Sequence, residues 1–326
     1  MTKPKRAWTK YPYFEEETSD DVVIARMGAD ADPRLRAVMT SAIRHLHAFV
    51  KEVRPSHDEW LAAIRFLTRT GHMSTDWRQE FILLSDTLGV TMLVDAINHS
   101  HGDGATENTI LGPFYVENPP QYPNGANICL DGKGAPLVVR GRVLDTAGKP
   151  VAGATIDAWQ TNEDGFYDVQ QKGVQPDMNL RGVFTTDAGG CYWFRTVKPR
   201  YYPIPSDGPV GQLLEAMGRG PNRAAHIHFK VKAAGYDEVI THVFPPDCPY
   251  LETDAVFGVK ETLIGDFRQV DDAARAAALG FANPFWALDW DFTLARAAGD
   301  GPPSSTRASS GLRASRAAAT APRCSG

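Results

Sequence analysis

The segment Arg223-Ala224-Ala225-His226-Ile227-His228-Phe229 opens a run in which apolar and polar residues alternate from Ala225 to Lys232. Alternation with a period of two predicts a half-buried β-strand rather than a helix. Residues two apart on a strand point to the same face, so His226 and His228 are expected to present their imidazoles side by side. Such a pair is a two-point binding site for a metal ion, although many His-x-His pairs have no metal role.

Similar alternation on both sides of this segment predicts a β-rich domain over residues 109–296. Pro136–Asp145 and Ala154–Gln160 are expected to form a pair of strands around the turn Thr146-Ala147-Gly148-Lys149. Further predicted strands are Val183–Thr186, Tyr192–Val197, Ala225–Lys232, Val239–Phe244 and Trp286–Leu294. Many short strands joined by Gly- and Pro-rich turns are typical of an antiparallel β-sandwich.

Residues 1–108 are expected to form a helical domain that ends in a polar connector over His99–Asn108. Asp32-Pro33 is a helix start signal, and Pro55 is expected to end that helix. Ser56-His57-Asp58-Glu59 is a capping box that opens a second helix. A third helical stretch runs from about Trp77 to Asn98 and is expected to break near Gly89. These helices carry enough apolar surface to require burial on the next domain or on a second copy of the chain.

Composition excludes several classes of function. The 326 residues have a net charge of −5 with both signs interspersed, which argues against a nucleic-acid-binding protein. No secretory signal and no apolar run of about 20 residues is evident, so no membrane association is expected. Four cysteines without a C-x-x-C pair do not form a disulfide framework, which favours the cytoplasm. Residues 297–326 are rich in Ala, Ser, Arg, Gly and Pro and are predicted to be a disordered tail.

Two histidines do not complete a metal site, and three completions can be compared. The segment Phe229–Ala233 holds no carboxylate, which disfavours a site completed by a nearby Glu. His242 on the next predicted strand would complete a zinc site with three histidines. Tyr167 and Tyr202 lie upstream, and a trivalent iron ion acidifies a phenol whose ordinary pKa is about 10. Residue types and spacing leave the zinc and iron alternatives open.

Three motifs carry a resemblance that covers the chain to about residue 295. They are Leu111-Gly112-Pro113-Phe114-Tyr115, the stretch from Gly153 to Trp159 with Asn162 and Gly165-Phe166-Tyr167, and the Arg-x-Ala-His-x-His-Phe pattern at 223–229. Together they resemble the intradiol ring-cleavage dioxygenases of bacterial and fungal aromatic catabolism. The resemblance implies a helical dimerisation domain followed by a β-sandwich catalytic domain.

The resemblance also implies one non-haem Fe(III) per subunit, with Tyr167, Tyr202, His226 and His228 as ligands. Family spacing selects Tyr202 over its neighbour Tyr201, and Tyr202 is expected to leave the metal and take a proton during catalysis. Arg223 is expected to stabilise negative charge on the substrate. The substrate contacts that the resemblance implies are Leu83, Asp86, Ile110, Leu111, Gly112, Pro113, Phe114, Ile204, Pro205, Arg223 and Val256.

Within the family, three segments look most like members that cleave hydroxyquinol with O2 to 3-hydroxy-cis,cis-muconate. They are Tyr202–Pro205, Asp207–Gly211 and Asp254–Lys260. Asp86 is expected to accept a hydrogen bond from the extra ring hydroxyl. Catechol or a chlorocatechol is the alternative substrate, and a zinc hydrolase or a non-catalytic transthyretin-like module are alternatives of another class.

His242 stands where catechol-cleaving members tend to have Gln, so the family assigns it no role. The family also implies a homodimer, often with an amphipathic lipid held between the subunits.

Overall fold

The computed structural model describes residues 13–75, 78–99 and 104–297. Contacts divide the chain into two units, Met1–His72 and Met73–Gly326. The domain boundary expected between residues 108 and 109 stays a prediction. Disorder of the tail also stays a prediction, because residues 298–326 lie outside the described ranges.

The first unit contains three helices, α1 (Ser19–Ala25), α2 (Pro33–Val53) and most of α3 (His57–Met73). The Asp32 side chain caps α2 by accepting a hydrogen bond from the Leu35 N–H at 2.8 Å. The capping box before α3 is present, with the Ser56 N–H donating to Glu59 at 2.7 Å and the Glu59 N–H donating back at 3.3 Å. The starts predicted for these two helices are therefore confirmed.

Helix α2 buries none of its residues against the described part of the chain. Apolar side chains on α2 and α3 are at least one-third exposed instead. They are Leu35, Val38, Met39, Leu46, Phe49, Val50, Val53, Trp60, Leu61, Ile64 and Leu67. Apolar surface of this extent on one helical unit is typical of an interaction surface.

The second unit begins with α4 (Glu80–Thr87) and α5 (Val90–Asn98). Gly89 separates these helices at φ +73, so the predicted break is confirmed. Helices α6 (Pro209–Ala216) and α7 (Ala273–Leu279) were not expected from the sequence. Both are at most eight residues long, too short for a helical period to stand out from the surrounding loops.

The first sheet is built around β1 (Pro136–Asp145). It pairs antiparallel with β4 (Cys191–Val197) and parallel with both β10 (Phe285–Asp289) and β11 (Phe292–Leu294). Strand β9 (Phe267–Val270) extends the sheet beyond β10. The predicted antiparallel sandwich thus includes these two parallel pairs, and the single strand expected over Trp286–Leu294 is two strands. Strands β10 and β11 follow every strand of the second sheet along the chain, and they run in the same direction as β1.

The second sheet is antiparallel throughout, in the order β3 (Arg181–Thr185), β2 (Thr155–Gln160), β7 (Ile227–Lys232) and β8 (Val239–Val243). Side chains of both sheets share one apolar core, and the expected sandwich is confirmed. Trp159, His228 and His242 are register partners across three neighbouring strands.

A two-stranded ladder of β5 (Tyr202–Pro203) and β6 (Asn222–Arg223) lies outside the two sheets. Among the described residues, no helix combines the length and the apolar content that crossing a membrane requires.

Candidate metal centre

His226 and His228 come together as the sequence predicts, although His226 lies one residue before β7 begins. Their Nε2 atoms are 3.1 Å apart, and each residue is 1% exposed. Burial, followed by the positive charge of Arg223, lowers the pKa of His226; burial and the neighbouring His226 lower that of His228. Both imidazoles are therefore neutral near pH 7 and can act as metal ligands.

The hydrogen bond made by Nδ1 of each histidine determines whether the free lone pair lies on Nε2. His226 Nδ1 is 2.6 Å from the carbonyl oxygen of Ala224, so Nδ1 donates and Nε2 carries the lone pair. His228 Nδ1 is 2.8 Å from Nε2 of His242. When His228 Nδ1 donates to His242, the lone pair of His228 also lies on Nε2. Two lone pairs then converge, an arrangement that a cation stabilises.

Two tyrosine hydroxyls lie beside these nitrogens. The Tyr167 hydroxyl is 2.9 Å from His228 Nε2 and 3.3 Å from the Tyr202 hydroxyl. Tyr201 lies elsewhere and packs edge-on against Tyr250, with ring centroids 4.7 Å apart. Burial raises the pKa of Tyr167 and of Tyr202 above the ordinary phenol value. Without a bound metal ion both phenols keep their protons, although Arg223 lies nearby.

The donor set of two phenol oxygens and two neutral imidazoles fits a ferric ion. Anionic oxygen donors favour a hard, highly charged ion, whose own charge outweighs the effect of burial on the phenol pKa. Donor separations of 2.9–3.3 Å suit atoms that share one ion at bond lengths of about 2 Å.

The competing site of three histidines is also present, since ligand atoms of His226, His228 and His242 lie within 4.8 Å of one another. However, His242 contacts Nδ1 of His228, whereas Tyr167 and His226 contact Nε2. A metal ion bound at Nε2 of His228 can therefore be shared with Tyr167 and His226, whereas His242 lies on the opposite side of the ring at Nδ1. With Nε2 directed to the tyrosines, His242 holds His228 in place from behind.

Arg223 supplies a buried positive charge beside the tyrosines. It faces Tyr202 directly in the β5–β6 ladder, and its guanidinium forms an ion pair with Asp254 at 3.1 Å. Both side chains are at most 3% exposed. The charge of Arg223 and its hydrogen bond to Tyr202 oppose the effect of burial on the Tyr202 pKa. This cation therefore favours the anionic form of that phenol.

Aromatic and charged neighbours hold His228 and Tyr167 in place. The Trp159 ring stacks on His228 with centroids 4.6 Å apart, and Phe114 stacks on Tyr167 at 4.7 Å. The buried Arg181, paired with Asp168 at 2.6 Å, lies 5.9 Å from the centre of the Tyr167 ring. Sequence reasoning gave no role to Trp159, Arg181, Asp168 or Asp254. Trp159 and Asp254 each had a signal, since Trp159 lies within a family motif on a predicted strand and Asp254 begins a segment that resembles hydroxyquinol-cleaving members.

A cavity of about 860 Å³ lies beside His228 and Tyr167, because Gly112 and Phe114, which lie against these two residues, are part of its wall. Gly112 lies in its wall, and a Cβ at this position would be 3.2 Å from Cε1 of His228. Eight of the expected substrate contacts line the cavity: Leu83, Asp86, Ile110, Leu111, Gly112, Pro113, Phe114 and Pro205. Ile204 and Val256 are buried in an apolar cluster with Leu83 and Ile110, and neither they nor Arg223 lines the cavity.

The cavity wall also contains polar residues that the sequence did not single out. Asp95 and Thr109 line it with Asp86, and each of the three has a buried oxygen without a hydrogen-bond partner among the described residues. Burial raises the pKa of the Asp86 carboxyl, opposed by a hydrogen bond from Thr91 and by the charge of Arg223. Unpaired buried acceptors suit a ligand that donates hydrogen bonds.

Comparison with known proteins assigns this chain to a family. Residues 110–296 match the family described as "Dioxygenase", and residues 32–106 match "Catechol dioxygenase N terminus". The chain belongs to the intradiol ring-cleavage dioxygenase family.

Individual members are similar over most of their length. The chain is 61% identical to a hydroxyquinol 1,2-dioxygenase of Rhizobium sp. (strain MTP-10005), covering 87% of this chain and 97% of that protein. It is 46% identical to a 6-chlorohydroxyquinol 1,2-dioxygenase of Cupriavidus pinatubonensis, covering 86% and 98%. The crystal structure of a hydroxyquinol 1,2-dioxygenase from Pseudomonas putida DLL-E4 superposes with a TM-score of 0.82 at 44% identity, covering 86% and 99%.

Proposed function

We propose that this enzyme cleaves the ring of hydroxyquinol between its adjacent hydroxyl groups with O2, at a non-haem Fe(III) held by Tyr167, Tyr202, His226 and His228. The observation that carries the proposal is the convergence of two phenol oxygens and two imidazole nitrogens beside a cavity that contains Asp86. The similarity to proteins named hydroxyquinol 1,2-dioxygenase supports the choice of substrate.

When bound, the iron supplies Lewis acidity and accepts electron density from the diol, which makes the ring reactive towards O2. Arg223 stabilises the anionic form of Tyr202. The phenolate oxygen of Tyr202 is therefore available to take a proton when a diol hydroxyl arrives. Tyr167 keeps its place, held by the Phe114 stack and by Arg181 near its ring. Arg223 also stabilises the negative charge that develops on the substrate.

Asp86 selects the triol in this proposal. Its Oδ1 is buried in the cavity wall without a partner among the described residues, so an additional ring hydroxyl can donate to it. Catechol lacks that hydroxyl and leaves the acceptor unpaired, which costs binding free energy. Catechol and chlorocatechols are therefore the weaker substrates.

The proposal includes a homodimer formed through the apolar side chains of α2 and α3, with an amphipathic lipid between the subunits. Their exposure in the chain supports a partner of similar apolar character. Light scattering of the purified protein tests the dimer, and mass spectrometry of a solvent extract tests the lipid. A monomer at micromolar concentration contradicts this part of the proposal. A cytoplasmic location stays a prediction from the sequence.

Colour, metal content and oxygen uptake test the central proposal together. Phenolate bound to Fe(III) absorbs visible light, so purified protein with about one iron per chain is expected to be red to burgundy. Tyr167→Phe should lose much of this absorption, while Tyr201→Phe, a matched change one residue from Tyr202, should keep it. Oxygen uptake is then compared for hydroxyquinol, catechol and chlorocatechols. Colourless protein that retains native zinc, or uptake that is fastest with catechol, contradicts the proposal.

A further inference from the structure

The aromatic rings of Trp159 and Tyr115 lie in series between His228 and the surface. The Trp159 ring is nearly parallel to that of His228, with planes 9° and centroids 4.6 Å apart. Tyr115 contacts Trp159 in turn, with centroids 5.0 Å apart. Trp159 is 1% exposed, whereas Tyr115 is partly exposed. These two ring contacts therefore connect the buried His228 to the partly exposed Tyr115 in two short steps.

Tyr115 has a buried carboxylate as its hydrogen-bond partner. This partner is Asp157, which lies on β2 two residues before Trp159 and accepts the hydrogen bond from the Tyr115 hydroxyl. Burial raises the pKa of Asp157 to about 6, and burial followed by the charge of Asp157 raises the pKa of Tyr115 to about 12. Near pH 7 the phenol keeps its proton and the carboxylate can receive it. Lys230 lies 4.6 Å over the Tyr115 ring and faces Asp157 in the neighbouring strand.

Packing alone does not explain this arrangement. A phenylalanine at position 115 would fill the same space and would not require a buried carboxylate, which is costly to desolvate. Tryptophan and tyrosine are the side chains that lose an electron most readily, and here they are in contact. The chemistry proposed for ring cleavage uses neither Trp159 nor Tyr115.

We propose that Trp159 and Tyr115 form an electron relay that carries oxidising equivalents from the metal centre to the surface when peroxide reacts there. The relay rests on the proposed function, because it requires a redox-active iron beside His228. It protects the ligands from oxidation.

The steps balance with hydrogen peroxide as oxidant and a soluble thiol as reductant. Trp159 gives one electron to the oxidised centre, and Tyr115 replaces it while its phenolic proton passes to Asp157. The thiol then gives a hydrogen atom to Tyr115 Oη, and the proton on Asp157 returns to solvent. Two such cycles reduce one peroxide to two water molecules, and the two thiyl radicals pair as a disulfide.

The test exposes the full-length, iron-loaded enzyme to hydrogen peroxide without substrate. Freeze-quench electron paramagnetic resonance is expected to show a tyrosyl radical, and peptide mass spectrometry is expected to place oxidation at Tyr115. Tyr115→Phe should lose the radical signal, shift oxidation to Trp159 and the metal ligands, and become inactive severalfold sooner. Asp157→Asn keeps the shape of the site and should weaken the radical signal. Tyr122→Phe, a matched change at a partly buried tyrosine that stacks on Phe184 instead, should behave as the unmodified enzyme.

Iron content, colour and the initial rate of ring cleavage are measured first for every variant. If the unmodified protein lacks iron or cleavage activity, the proposed function itself is contradicted. If iron and initial rate are normal but Tyr115→Phe keeps the radical signal and the oxidation pattern, the relay is contradicted. Thiol added during peroxide exposure should prolong the life of the unmodified enzyme more than that of Tyr115→Phe, and equal protection also contradicts the relay.

Discussion

Tyr202 and Arg223 are directly opposed in the two-stranded ladder of β5 and β6. The pairing places a permanent positive charge beside one phenol of the candidate metal centre, where burial alone would keep that phenol protonated. Asp254 completes the group by holding the Arg223 guanidinium at 3.1 Å. All three side chains are at most 5% exposed, so water screens the electrostatic interactions between them only weakly.

Asp254→Asn is expected to destabilise the fold by about 3–5 kcal/mol, since it leaves the buried charge of Arg223 without its partner. Urea unfolding followed by circular dichroism measures the change. Asp247→Asn is the matched control, because Asp247 pairs with Lys198 at an exposed position and should cost less than about 1 kcal/mol. Equal effects of the two substitutions would contradict the role of Asp254.

The same carboxyl predicts a pH dependence of stability. Burial raises the pKa of Asp254, but the charge of Arg223 and backbone N–H donors outweigh it and hold the pKa below its ordinary value of 3.8. The stabilisation is therefore complete above pH 3.8 and is lost as the pH falls through the lower folded-state pKa. The stability difference between the unmodified protein and Asp254→Asn should shrink over that acid range. A difference that is constant with pH would disagree with this assignment.

Gly112→Ala is expected to disturb the metal centre as well as the backbone. Gly112 has φ +78, so any Cβ costs about 1–2 kcal/mol, and here it would also meet the His228 ring at 3.2 Å. Gly132→Ala is the matched control, with φ +67 and no heavy atom within 4 Å of the added Cβ. Both variants should lose similar stability, whereas only Gly112→Ala should lose bound iron and colour. Normal iron content in Gly112→Ala would exclude a close contact with His228.

His242→Leu should weaken metal binding about 10- to 100-fold, because it removes the group that holds Nδ1 of His228. His242→Gln offers an amide oxygen at a similar distance and should recover part of this affinity. A chelator competition titration measures the metal dissociation constant. If His242 were a metal ligand in a zinc site, Gln would not restore binding and the native metal would be zinc.

Asp86→Ala is expected to lower kcat/KM for hydroxyquinol about 10- to 100-fold, since a hydrogen bond to a charged group contributes about 1.5–3 kcal/mol. Catechol turnover should change little. Oxygen uptake with both substrates measures the ratio, and Asp95→Ala provides a second carboxylate of the same cavity for comparison. Equal losses for both substrates in Asp86→Ala would rule out selection by this residue. A selective loss in Asp95→Ala would assign that role to Asp95 instead.

Local signals in the sequence predicted most of the regular structure. Caps at Asp32 and Ser56 marked where α2 and α3 begin, and alternation marked β1 over the same ten residues that the structure shows. The parallel pairing of β10 and β11 with β1 was missed because alternation reports which face of a strand is buried, not its direction. Short helices such as α6 were missed because eight residues carry too little periodicity.

The sequence by itself determined the residue types of the candidate metal centre and the closeness of His226 and His228, because two residues of spacing already set that distance. Only the tertiary structure brought the Tyr167 hydroxyl to 2.9 Å from His228, across 61 positions of chain. It also decided that His242 contacts Nδ1 rather than Nε2, and that Asp254 pairs with Arg223. Such contacts depend on strand register and chain return, and these follow from packing the whole core rather than from any local pattern.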